Sequence, residues 1–169
     1  MHRGRMVAFV GAFLVTLMLA EGTLAAQGYF IQADMVRSEA GTPRGPVCVP
    51  DGAFFPGEAV VFRVKVFDLA TGQEVERPTI EERGLQVRVE LGDGTVLRAA
   101  YLAHPPDPNA PAHDEYWAAF WPIPKNYPGG TLTWKVVAQD REGRVGEFTP
   151  IGQEVGLGML TILPSTEGA

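Results

Sequence analysis

Between Ala59 and Asp68 the chain places Val60, Phe62, Val64 and Val66 on one parity and Val61, Arg63, Lys65 and Phe67 on the other. Successive side chains of a strand point to opposite faces, so this run predicts a strand with one apolar face and one mixed face. Leu85, Val87, Val89 and Leu91 alternate in the same way with Gln86, Arg88 and Glu90, and Gly92-Asp93-Gly94 follows. An Asp-Gly turn between alternating runs predicts a hairpin, here returning through Thr95 to Leu102. Thr131 to Ala138 alternates through Leu132, Trp134, Val136 and Ala138, and Asp140 to Gly143 turns it toward a last strand ending near Leu163. Tyr29 to Val36 and Val47 to Val49 supply opening edge strands. Proline at 105, 106, 108 and 111 forbids a ladder or a helix between His104 and Asp114, leaving an extended surface loop before a strand from Glu115 to Trp121. Only Thr79 to Arg83 offers a helical turn. The 20 Gly and 14 Pro fall between the apolar runs, the punctuation of an all-β domain.

The N-terminus points to export. Arg3 and Arg5 precede an apolar stretch from Met6 to Ala20, and the small residues Thr23, Ala25 and Ala26 follow. This is the layout of a secretory signal, shorter than the roughly 20 residues of a relaxed membrane span. The expected division is a signal peptide over 1–26, cleaved after Ala25 or Ala26, one domain over 27–163 and a disordered tail over 164–169. An uncleaved anchor holding the domain to the membrane is the alternative. No Cys stands near the cleavage point, which argues against a lipoprotein. A periplasmic or extracellular location follows, with no membrane span after cleavage. The net charge is −6, and cleavage makes the remainder more negative because Arg3 and Arg5 leave with only Glu21. Such a surface repels phosphate backbones, so nucleic acid is a poor partner.

The run from Pro124 through Tyr127, Pro128, Gly130 and Thr131 leads into an alternating strand that ends at Asp140-Arg141-Glu142-Gly143. It resembles the last third of bacterial exported immunoglobulin-like and fibronectin type III-like domains, and the hairpin through Leu91 to Thr95 is similar to their middle third. The resemblance spans about residues 57 to 163. It implies an immunoglobulin-like, two-sheet antiparallel sandwich of about seven or eight strands. It says little about activity, since this architecture hosts adhesion, accessory, carrier and binding roles alike.

Four groups of residues are candidates for chemistry. Cys48 is the only cysteine, which rules out an intrachain disulfide; its valine neighbours predict a short strand that buries the thiol, and a redox, cofactor or interchain role is the alternative. His104 and His113 share the Pro-rich loop with Asp114, and with Cys48 they form a candidate metal set for Zn²⁺ or Cu²⁺. Carboxylates gathered by the loops at 69–84, 104–114 and 139–144 would suit Ca²⁺ or simply a solvated acidic end. Trp117 and Trp121 fall on the parity opposite Tyr116 and Phe120; with Phe54 and Phe55 they are either a partner-binding aromatic set or a second packed face. No Gly-x-Ser-x-Gly elbow, phosphate loop or C-x-x-C-H haem motif is present. The expected function is therefore a non-catalytic accessory or protein-binding module of the cell envelope, its partner another exported protein. The alternative is a periplasmic metal- or cofactor-binding redox or carrier protein using Cys48 with His104 or His113.

Overall fold

The computed structural model describes residues 27–105, 109, 111, 114–151 and 158–164. The expected signal peptide, His113 and most of the expected tail lie outside them. The described elements are β1 (Tyr29–Arg37), β2 (Ala53–Phe54), β3 (Ala59–Asp68), α1 (Arg77–Arg83), β4 (Gln86–Leu91), β5 (Val96–Arg98), β6 (Ala100–His104), β7 (Asp114–Pro122), β8 (Gly130–Leu132), β9 (Trp134–Gln139), β10 (Val145–Phe148) and β11 (Leu160–Ile162). Among the described residues the fold is all-β apart from one short helix. That helix has a Pro in its first turn and ends on Gly84 in the left-handed conformation.

One four-stranded sheet runs β1-β3-β7-β6 and a second runs β10-β9-β4-β5; a smaller sheet runs β2-β11-β8. Every pairing is antiparallel except that of β2 with β11. Alternation decides what lies between the large sheets. Val60, Phe62, Val64 and Val66 of β3 meet Val87, Val89 and Leu91 of β4 and Trp134, Val136 and Ala138 of β9 in one core. The rings of Phe62 and Trp134 stand 5.1 Å apart across it.

Eleven strands occur among the described residues, more than the seven or eight expected: two runs each serve two sheets, the last expected strand is divided into β10 and β11, and β2 is added. The return limb of the hairpin pairs with β4 as far as Arg98, then crosses at Ala99 to pair with β7 from Ala100. The Thr131–Ala138 run breaks at Thr133, whose carbonyl accepts the Gly92 N–H, so Leu132 pairs with Leu160 while Trp134 pairs with Leu91. The strand expected at 47–49 is absent. Cys48 there takes φ +59°, outside the strand region, and only Pro50 bridges to Val36.

The start of β1 is clamped to the turn after β9. The Tyr29 hydroxyl donates to Asp140 Oδ2 at 2.7 Å, Arg144 Nε donates to the same oxygen at 2.8 Å, and the Glu142 and Arg144 backbone N–H groups donate to Oδ1. Gly146 permits the close approach, since a Cβ there would lie 2.7 Å from the Tyr29 Cβ and carbonyl oxygen. Burial works to raise the Asp140 pKa, but these bonds outweigh it and hold the carboxyl below its ordinary value. A carboxyl held low contributes stability that is complete above its unfolded pKa of about 4 and is lost as pH falls through the folded value. Asp140→Asn should therefore cost roughly 3 kcal/mol at pH 7 and flatten the acid limb of the stability curve. Urea melts between pH 2.5 and 7 read both effects, and an unchanged acid limb would show that Asp140 does not carry it.

Candidate functional site

The outer face of the β1-β3-β7-β6 sheet carries the parity that the core leaves free. Register places Phe30 opposite Phe67, Asp34 opposite Arg63 and Val61 opposite Phe120, with Leu102 opposite Tyr116 and His104 opposite Asp114 at the β6 edge. Phe30 is 51% exposed, Leu102 49% and Phe120 47%, a high exposure for large apolar side chains on one sheet face. Between them runs a band of charge. Arg63 donates through Nε and Nη2 to both Asp34 oxygens, and Lys65 Nζ donates to Asp114 at 2.7 Å and Glu74 at 3.0 Å. The bond to Asp34 is the main reason the Arg63 pKa is raised, and Asp114 chiefly raises that of Lys65 against the cost of burial. Burial raises the Tyr116 pKa, so its hydroxyl stays protonated across the physiological range. Asp34, Arg63, Lys65, Asp114 and Tyr116 line a shallow depression of about 390 Å³. A face of this kind offers half-exposed apolar anchors and paired charges already fixed in place.

The aromatic set expected to bind a partner is placed otherwise. Trp117 and Trp121 are 6% and 5% exposed, because the register of β7 against Val64 and Val60 of β3 turns both indoles into the core. Tyr101 packs edge-on to Trp117 and Tyr127 to Trp121. Phe54 is fully buried under the Arg37 guanidinium, and half-buried Phe55 lies beneath Arg44. On the outward parity of the strand Phe120 is exposed and Tyr116 half-buried. Alternation separated the two sets correctly, but which parity faces inward depends on the neighbouring strand, and that information is not local.

Cys48 is exposed on the loop that follows β1, its N–H donating to the Arg37 carbonyl at 2.9 Å, so the expected burial of the thiol is overturned. The His104 ring packs against Tyr116, with centroids 5.7 Å apart, and Asp114 is engaged by Lys65. The loops at 69–84 and 139–144 meet through the Arg141 N–H and the Arg83 carbonyl, and Arg77 of the first reaches Glu115 at the start of β7. Five carboxylates in or beside these loops are matched by cations: Glu74 and Asp114 by Lys65, Glu115 by Arg77, Asp140 and Glu142 by Arg144. Among the described residues no three His, Cys, Asp or Glu side chains are grouped to hold a metal ion.

No protein-family model, curated protein or solved structure matches the chain. Residue geometry therefore carries the functional argument. Among the described residues no helix is long and apolar enough to cross a membrane.

The position of Cys48 predicts that, after mild reduction, one thiol per chain reacts with a disulfide reagent in the native state as completely as in denaturant. A thiol that reacted only on unfolding would contradict the exposed loop conformation.

Proposed function

We propose that the chain is an exported, non-catalytic module of immunoglobulin-like fold that binds another envelope protein through the outer face of the β1-β3-β7-β6 sheet. Strand order supports the fold. Taking β1, β3, β4, β6, β7, β9 and β10 as the seven principal strands, one sheet holds the first, second, fifth and fourth, and the other the seventh, sixth and third. This is the partition of an immunoglobulin-type Greek key, with β5 as an added strand beside the third. The N-terminal sequence and the resemblance to exported domains support the location.

The observation that carries the binding role is the outward placement of Phe30, Leu102 and Phe120, each about half exposed on a rigid sheet, around a band of fixed charge. Interfaces combine apolar anchors that are desolvated on contact with polar groups that set orientation, and side chains already held by a sheet lose little freedom on binding. The charged pairs Asp34–Arg63 and Lys65–Asp114 suit the second task, because each remains satisfied when water leaves.

The double substitution Leu102→Asp with Phe120→Asp tests the role. Both side chains face solvent, so stability should change by no more than about 1 kcal/mol, while retrieval of the partner from an envelope extract should fall at least tenfold. A wild-type domain that stays monomeric and retrieves nothing, or a double variant that retrieves the partner as well as wild type, sinks the proposal. Export has its own measurement: intact mass of the secreted chain should give an N-terminus at Ala26 or Gln27, and a chain still carrying residues 1–25 would make the segment an anchor.

A further inference from the structure

A second surface, unrelated to that face, lies where the chain changes sheets. Arg98 is still paired with Arg88, Ala99 donates its N–H to the Val87 carbonyl at 2.9 Å, and Ala100 is already paired with Ala118 of the opposite sheet. The start of β4 is left without a β5 neighbour, and a cleft of about 450 Å³ opens there. Leu85 and Val87 of one sheet and Trp117 of the other form apolar walls, with Arg88 and Arg98 among the lining. The volume falls within the range of small-molecule sites.

Two observations give the cleft a chemistry. Arg88 and Arg98 stand directly opposite one another, a placement of like charges that disfavours strand pairing. Glu90, which takes the Arg88 Nε at 2.7 Å, also takes Lys135 Nζ at 3.2 Å, so one carboxylate serves two cations. Arg98 has no acidic partner among the described residues, in a chain of net charge −6. The other observation concerns Trp117, which is more than nine-tenths buried. Its indole N–H is the one buried side-chain polar atom without a hydrogen-bond partner among the described residues. An anion bridging the two guanidinium groups turns an unfavourable pair into a favourable one, and a carboxylate matches their planar forks.

We propose that this cleft binds a small amphipathic monoanion, a carboxylate on a medium-length alkyl or aryl body, with the head on Arg88 and Arg98 at the outer parity of the sheet and the body bending over the strand edge at Ala99 toward Leu85, Val87 and Trp117. The site goes beyond the partner-binding reading and uses none of its residues, so either can fail alone.

The test titrates the purified chain, in the processed form its host delivers, with octanoate, octanol and acetate. Binding is followed by calorimetry and by the indole N–H resonances of nitrogen-15-labelled protein, with Trp117 assigned through Trp117→Phe. Octanoate should bind at least tenfold tighter than octanol or acetate and move the Trp117 resonance. Arg98→Gln, at an exposed position with no side-chain partner to lose, should weaken octanoate about tenfold and leave octanol unchanged, with the circular dichroism spectrum of wild type. Equal binding of octanoate and octanol, an unaltered octanoate affinity in Arg98→Gln, or no octanoate binding at millimolar concentration would each overturn the proposal.

Discussion

The buried ion pair between Arg37 and Glu58 ties the 38–52 segment and β2 to the paired ends of β1 and β3. Arg37 Nε donates to Glu58 Oε1 at 2.9 Å, and both side chains are almost fully withdrawn from water. A charge so placed is costly unless all its hydrogen-bonding capacity is met. It is met here: Nη1 donates to Asp51, Nη2 donates to the Ala53 carbonyl, and the Glu58 oxygens accept from the Arg44 and Phe55 backbone N–H groups. The pair thereby fixes the end of β1, the segment at 38–52, the short strand β2 and the start of β3 in one arrangement. The conformation of Cys48 and the burial of Phe54 both depend on it.

The opposite end of the domain repeats this logic with different residues. Asp140 receives Tyr29 and Arg144, and Asp68 receives Arg83 together with the Ala70 backbone N–H. Polar clusters close both ends, while the layer between the sheets, from Ile31 to Trp134, is apolar. Large strand displacements would break several charge-assisted bonds at once. A scaffold tied in this way holds its outward side chains in fixed relative positions, as a recognition surface made of sheet residues requires.

Local alternation made the centres of the strands legible in the sequence. Val60 to Val66 and Val87 to Leu91 face the core as their parity predicts, and the Asp93-Gly94 turn forms where an Asp-Gly pair should place one, with Gly94 at φ +90°. The failures share a physical cause: each needed a partner that lies far away in the chain. Trp117 and Tyr116 are equally plausible core residues until β3 fixes the register of β7. The valines flanking Cys48 look like a buried strand until Arg37 and Glu58 claim the segment around them. Thr133 looks like mid-strand until Gly92 takes its carbonyl and Leu160 takes its neighbour.

The crossover at Ala99 deserves weight for what it does to both sheets. It ends β5 after three residues and starts β6 at the outer edge of the other sheet, so one short segment supplies both exposed edges on that side. Exposed edges invite pairing with other chains, and short strands with charged ends discourage it. Here β5 ends in Arg98, and β6 ends in His104, opposite Asp114. The segment also separates the layers enough to leave Trp117 beside a cleft instead of under a continuous strand. The core is thus opened at one of the two points where a run of the chain changes sheets. Arg88 and Arg98 stand at that opening on the solvent parity of their strands, where their charges are hydrated, while Val87 and Val89 take the core parity.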